Sequence, residues 1–335
     1  MEKSILLQAF NGTNATIPVW FMRQAGRFLP EYRQLRETNS LEEMFYNPEI
    51  AAEVTCLPVN LLGVDAAILF ADILTLPAAM GFDIRFSSTN GPVIGNTIER
   101  PEDILRMRDM ENLPHIRETI RLVNARLPED IPLIGFAGGP FTALTYLLEG
   151  KSSANFEKTL RFAYQHQNLF HRTMAVLTKN TIVYLNLQKE AGIKVFQLFD
   201  TWAGILPAEK YREWVLPYVK NIFQYVDLPS IYYLKNAAHL LDLMEQAGSQ
   251  FLSVCANVDL THPALAKTEK GIQGNLYNGL LYSDDETLQR ELLHVLKTSR
   301  RFKKYIFNLS HGIFPDVEVE KVKLIIEKVH SFPKV

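Results

Sequence analysis

Two guanidinium groups around a glycine are the first candidate for chemistry in this chain. Arg23 and Arg27 lie in the run Arg23-Gln24-Ala25-Gly26-Arg27, directly after the apolar stretch that contains Trp20 and Phe21. Taken singly, each reads as a surface arginine. Together, beside a glycine that lets backbone or ligand approach closely, they form a cationic edge suited to carboxylates or phosphates. Asp72 is the second candidate. It sits between Ile68-Leu69-Phe70-Ala71 and Ile73-Leu74, and a carboxylate in so apolar a stretch must be paired, capping a helix or functional. Pattern alone leaves the cap and the functional role equally open.

Other candidates carry weaker signals. Residues 135–140, GFAGGP, contain neither GxGxxG nor a following Gly-Lys-Ser/Thr, so turn chemistry explains them better than a phosphate loop. Tyr146 lies among Leu144, Leu147 and Leu148 and, taken alone, reads as core. His311, ahead of Gly312, reads alone as a packed loop histidine. Among eight histidines and two cysteines there is no His-x-x-x-His, His-x-Cys or Cys-x-x-Cys, so spacing signals no zinc site.

The elements that must position these residues alternate. Short apolar or β-branched runs predict strands at 17–21, 66–70, 132–136, 194–199, 230–234, 251–255, 271–274 and 305–309. Periodic stretches at 40–62, 155–191, 208–226, 238–246 and 284–298 predict helices between them. Strand–helix alternation implies a parallel sheet. Eight such units point to one α/β domain over residues 1–335, a single (β/α)8 TIM barrel, in preference to an open doubly wound sheet. Residues 83–95, DIRFSSTNGPVIG, alternate and hold the turn dipeptide Asn90-Gly91, which predicts a small hairpin inserted after the second strand, over the barrel mouth or at its rim.

In such a barrel, chemistry belongs where strands end and βα loops begin. The predicted strands lead, in order, into Arg23–Arg27, Asp72, the Gly138-Gly139 turn, Asp200-Thr201, Lys235-Asn236, Asn257, Asn275 and His311-Gly312. Polar and glycine-rich groups thus gather at one end. The basic run 300–304, RRFKK, precedes the last strand and belongs to the opposite end, where it reads as a solvated face or a helix C-terminus.

Composition excludes several classes. The chain has 335 residues, 47% hydrophobic and 21% charged, with net charge -2. Those are globular proportions without the basic excess that holds nucleic acid. Cys56 and Cys255 cannot make a disulfide framework, which suits a reducing, cytoplasmic compartment. No signal-peptide core or membrane span is evident in the sequence.

The same residues carry a resemblance. Residues 18–27, PVWFMRQAGR, continuing as LPEYR at 29–33, resemble the N-terminal signature of uroporphyrinogen decarboxylases. Residues 135–142, GFAGGPFT, running on to Thr145-Tyr146 and Glu149-Gly150, resemble the second signature. FADIL at 70–74, FDTWAG at 199–204 and NLSHG at 308–312 match further blocks in order. The resemblance spans nearly the whole chain and implies a (β/α)8 barrel, a homodimer, and stepwise removal of carbon dioxide from the four acetates of uroporphyrinogen III to give coproporphyrinogen III. It implies no metal and no organic cofactor. It also implies a site in which Asp72 and Arg23 are catalytic. Substrate would be bound by Arg23, Gln24, Ala25, Gly26, Arg27, Asp72, Phe136, Gly138, Tyr146, Phe199, Thr201 and His311.

The chain departs from the family pattern at two places near the expected mouth. Cys255-Ala256 stands where Asp-Trp is usual, and Tyr277-Asn278 where Asp-Pro is usual. Two other readings follow. Related barrels transfer methyl groups with a zinc-activated thiol, which would need Cys255 as a ligand with histidine partners. Alternatively, the chain binds a tetrapyrrole without processing it.

Overall fold

The computed structural model describes residues 2–87, 91–151, 153 and 155–334. Among the described residues nine strands form in chain order: β1 (Ala67–Ile68), β2 (Ile84–Ser87), β3 (Gly91–Ile94), β4 (Leu133–Gly138), β5 (Val195–Phe199), β6 (Ser230–Tyr233), β7 (Phe251–Ser253), β8 (Gly271–Gln273) and β9 (Tyr305–Ile306). Seven of them make one curled parallel sheet in the order β1-β4-β5-β6-β7-β8-β9, with helices in the connections. This is a TIM-barrel-like α/β fold. Within the strands, side chains alternate between two apolar groups, as the period of two requires. Ile134, Val195, Ile231, Tyr233, Phe251 and Ile306 pack together, while Leu133, Phe196, Tyr232, Leu252 and Tyr305 pack with the surrounding helices.

The first group is sealed at the strands' N-terminal ends by the helix Ile5–Asn11. Ser4 caps it, with its side chain accepting the Leu7 N–H, and Gly12 ends it at φ 67. Leu6 and Phe10 from this helix join the group, and the Phe10 and Phe251 rings lie 4.6 Å apart. Beside these apolar residues the strands carry a buried polar cluster. Trp20 Nε1 donates to Gln273 Oε1 at 2.9 Å, and Gln273 Nε2 donates to Gln197 Oε1 and Ser253 Oγ, each at 2.9 Å.

The expected strand at 17–21 is not a strand of the sheet; only the bridge Val19↔Phe307 is formed. On one side the backbone pairs normally, with Phe307 N–H donating to the Pro18 carbonyl at 2.8 Å. On the other side one backbone bond forms, the Asp65 N–H donating to the Val19 carbonyl at 2.8 Å, and side chains take the place of the remaining ladder partners. The Val19 N–H donates to the Asp65 carboxylate at 2.7 Å. The Phe21 N–H donates to Gln24 Oε1 at 3.0 Å, whose Nε2 donates on to the Ala66 carbonyl at 2.9 Å. Pro18 further removes a donor.

Three expected helices are split, two of them by proline and capping chemistry. The stretch 40–62 breaks at Asn47, which caps Pro48–Leu62, while Ser40 and Glu43 form a capping box on Leu41–Tyr46. The stretch 208–226 breaks at Val215, ahead of Leu216-Pro217. The stretch 155–191 breaks at His166 into Glu157–Gln165 and Gln167–Ala191. After β1, strands β2 and β3 pair antiparallel, Ile84 opposite Ile94 and Ser87 opposite Gly91. Residues 88–90, including Asn90 of the expected turn, lie outside the described residues. The ring sequence Phe70, Phe45, Phe86, at 4.8 and 5.1 Å, ties β2 to the chain just past β1. No described helix is long and apolar enough to cross a membrane.

Candidate functional site

Asp72 lies four residues past the end of β1. Its Oδ1 accepts the Leu74 N–H at 2.8 Å, and its own N–H donates to Thr75 Oγ1 at 3.3 Å. The carboxylate therefore does cap the local turn. It is also electrostatically out of place. Burial raises its pKa to about 6, against the lowering exerted by the Leu74 N–H and the Arg23 guanidinium. The side chain retains some accessible surface, so its charge is poorly solvated yet reachable. The turn fits tightly against β4: a Cβ on Gly138 would lie 3.1 Å from the Ile73 carbonyl oxygen.

Arg23 reaches the same region. It has φ 61, a left-handed conformation that costs a non-glycine residue about 1–2 kcal/mol. Its side chain lies over Gly312, where a Cβ would come within 2.3 Å of Arg23 Cδ. Its charge bears on Asp72, Tyr146, Tyr233 and His311. Among the described residues it belongs to no ion pair.

Tyr146 is buried on the helix Pro140–Glu149, with its ring 6.4 Å from that of Trp202. Burial raises its hydroxyl above the usual range; Asp72 adds to this and Arg23 opposes it. The helix is anchored from the next loop. The Thr142 N–H donates to Asp200 Oδ1 at 2.8 Å, and the Trp202 N–H donates to Thr142 Oγ1 at 3.0 Å. The approach requires a glycine, since a Cβ on Gly139 would lie 2.2 Å from Asp200 Cγ. Asp200 is fully buried, its Oδ2 has no hydrogen-bond partner, and burial raises its pKa to about 6.

His311 follows β9. Its Nδ1 is buried without a hydrogen-bond partner, and its ring lies 6.2 Å from that of Tyr233. Burial lowers its pKa to about 4, and the charges of Arg23 and Lys235 push the same way, so the imidazole is neutral at pH 7. Phe136, Phe199 and Tyr233 continue the wall edge-to-face, each neighbouring pair 5.7 Å apart.

The structure thus brings Arg23, Asp72, Tyr146 and His311 to the C-terminal ends of the strands, with Phe136, Gly138, Phe199 and the partly buried Thr201 beside them. Ala25 and Gly26 are partly buried in the Arg23 loop. Gln24 is fully buried, with its amide committed to Phe21 and Ala66, and is not presented to the mouth. Arg27 is exposed, and its charge bears on the Tyr32 hydroxyl.

Sequence reasoning placed Asn278 and Lys235 near the expected mouth without giving either a role. Asn278 Nδ2 donates to the Gly312 carbonyl at 3.2 Å and its Oδ1 accepts from Ser310 Oγ at 3.1 Å. One of the two departures from the family pattern therefore clamps the His311 loop. The other, Cys255, is buried, with its thiol donating to the Leu234 carbonyl at 3.4 Å. No group of three His, Cys, Asp or Glu side chains able to hold a metal ion occurs among the described residues.

Comparison with known proteins is consistent along the whole length. The profile of the family described as Uroporphyrinogen decarboxylase (URO-D) matches residues 1–332. A uroporphyrinogen decarboxylase of Thermodesulfovibrio yellowstonii is 41% identical over 334 residues, covering 98% of each chain. One of Thermus thermophilus is 40% identical over 320 residues, covering 94% of this chain and 93% of its own. In fold, the chain is similar to a methyltransferase from Methanosarcina mazei, with TM-score 0.81 and 21% identity over 98% of this chain and 97% of that one.

Proposed function

The chain belongs to the uroporphyrinogen decarboxylase (URO-D) family and is a carboxy-lyase, and we propose that it decarboxylates the four acetate side chains of uroporphyrinogen III to give coproporphyrinogen III. The observation that carries this is Asp72, a poorly solvated carboxylate beside Arg23 and Tyr146 at the C-terminal ends of the strands. The substrate's centre presents four pyrrole N–H donors and its rim presents carboxylates. Asp72 accepts the N–H groups. Arg23 and Arg27 hold acetates or propionates at the rim. Tyr146, Thr201 and His311 supply hydroxyl and imidazole partners, and Phe136, Gly138 and Phe199 make the wall.

Loss of carbon dioxide leaves an electron pair on the former acetate methylene. Protonating the adjacent pyrrole carbon first turns that ring into an iminium-like sink for the pair, so the substrate itself delocalises the charge. The bond to carbon dioxide breaks into the ring, a second proton on the methylene makes a methyl group, and loss of the first proton from the ring carbon restores the pyrrole, so one proton is taken up for each carbon dioxide released. Asp72 stabilises the cationic ring where hydration is poor and the interaction is strong. Because arginine is a poor proton donor as a residue type, Arg23 orients the reacting carboxylate. The reading includes a homodimer, a cytoplasmic location and no metal or organic cofactor. It also includes residues 17–21 as the eighth stave, joined to the sheet through Asp65 and Gln24.

Zinc–thiol methyl transfer is disfavoured by the donor set. Burial pushes the Cys255 thiol up and away from thiolate. The test is anaerobic incubation with uroporphyrinogen III, without added metal or cofactor, with products resolved by carboxyl number. Stepwise seven-, six-, five- and four-carboxyl species are expected. Intact substrate after long incubation refutes the activity, and tight binding without turnover would make the chain a tetrapyrrole-binding protein.

A further inference from the structure

We propose that Lys235 is a further substrate-binding residue, taking a carboxylate of a polycarboxylate ligand at the mouth; the identity of that ligand rests on the decarboxylase reading. Lys235 follows β6 after a single intervening residue, the position from which this fold presents ligand-binding groups. Its backbone is fixed. The N–H donates to the Thr201 carbonyl at 3.4 Å, and the Lys235 carbonyl is packed so closely on Gly204 that a Cβ there would lie 1.9 Å away. The next residue, Asn236, turns the chain at φ 57. The half-buried side chain projects over Trp202, with Nζ 5.8 Å from the ring centroid, and Trp202 in turn packs on Tyr146 and Phe156.

The ammonium is uncompensated. Among the described residues it enters no ion pair. The residue that both Lys235 and Arg23 act on, His311, offers no opposite charge. Two unpaired cations whose charges both bear on a neutral imidazole with no partner for its Nδ1 are complementary to an anion, not to another protein group. Carboxylate is the anion class because a compact ammonium on a flexible stem, a fixed guanidinium and an aromatic floor suit separate carboxylates on an aromatic or pyrrolic frame.

Lys235→Met keeps the stem over Trp202 and removes only the charge; Lys235→Arg restores it. Calorimetric titration with benzene-1,3,5-tricarboxylate is the probe that does not depend on turnover. The parent should bind it, the Met variant should bind about 10- to 100-fold more weakly, and the Arg variant should recover most of the affinity. With uroporphyrinogen, the same charge loss should raise KM by a similar factor and leave kcat within a few-fold. In nuclear magnetic resonance titrations the His311 imidazole should move to higher pKa in the Met variant, a change that a packing role would not produce. Equal affinity of the parent and a natively folded Met variant overturns the proposal, as does failure of the parent to bind the tricarboxylate at millimolar concentration. Tricarboxylate binding that depends on Lys235, in a protein that leaves uroporphyrinogen intact, sinks the decarboxylase reading and leaves this one standing.

Discussion

Replacing Asp72 by Asn should stabilise the protein while destroying its activity, and both effects follow from one number. Burial raises the carboxyl to about 6 in the fold, from an ordinary value of 3.8. At about 1.4 kcal/mol for each tenfold change in proton affinity, that difference makes ionised Asp72 unfavourable by about 3 kcal/mol at neutral pH. Screening through the accessible part of the side chain brings this to about 1.5–3 kcal/mol. Asn retains an oxygen for the Leu74 N–H and loses only the charge. The sign is fixed by linkage. Between pH 3.8 and about 6 the native state binds the proton more tightly than the unfolded chain, so the Asp72 contribution to stability falls as pH rises through that window. Asp72→Asn should therefore match the parent near pH 4 and exceed it above pH 7. For 335 residues, an unfolding entropy of about 2.1 cal/mol/K per residue converts 2 kcal/mol into about 3 °C. Melting curves from pH 4 to 8 read this directly. Turnover should drop by at least about 10²-fold, the usual effect of removing one preorganised electrostatic group. A variant no more stable than the parent at pH 7.5 refutes the burial argument, and one that keeps most of its activity removes Asp72 from the mechanism.

Three further outcomes follow from neighbouring contacts. The His311 imidazole should titrate at about 4 because burial, then Arg23 and Lys235, disfavour its charge; its contribution to stability is lost as pH falls from 6.5 toward that value. His311→Gln should therefore gain on the parent in melts at pH 5 relative to pH 7.5, and an imidazole titrating near 6.5 would contradict the assignment. Gly312→Ala places a Cβ 2.3 Å from Arg23 Cδ. The displaced guanidinium should raise KM by about tenfold with the melting temperature little changed, and an unchanged KM would show that Arg23 does not hold substrate. Asp200→Ala should be about 1–2 kcal/mol less stable than Asp200→Asn in the same denaturant titration, since both remove the buried charge but only Asn keeps an acceptor for the Thr142 N–H that caps the Tyr146 helix; equal stabilities would mean that the cap is not what Asp200 contributes.

The alternation of strands and helices was legible because each strand of the sheet carries its own apolar run, and the residues after them fall at one end for the same topological reason. The segment at 17–21 was read as a strand because its composition is that of one. What interrupts it, the Asp65 carboxylate taking the Val19 N–H and the Gln24 amide bridging Phe21 and Ala66, is a set of contacts to positions far along the chain that no local pattern records. The same cause misplaced Gln24 among the binding residues: the motif that carries it exposes Arg23 and Arg27 but folds the glutamine inward. Asn278 looked like a departure from pattern, and only its contact with the His311 loop shows what it holds. Lys235 was visible as a polar residue after a strand, yet nothing in sequence showed that its charge goes uncompensated.

The charges at the mouth are arranged in opposition. Arg23 lies close enough to lower the Asp72 pKa, but burial outweighs it and the net shift is upward. Arginine and aspartate are therefore not a satisfied pair: each retains capacity for a partner of the other sign. A ligand that is cationic or N–H-rich at its centre and carboxylated at its rim satisfies both, with the centre on Asp72 and the rim on Arg23, whereas a simple dicarboxylate would meet the cations and leave Asp72 more isolated still. The electrostatics accordingly select for a charge pattern rather than a net charge. That is why neutralising the centre by Asp72→Asn and weakening the rim by Gly312→Ala should fail differently, the first mainly in kcat and the second mainly in KM.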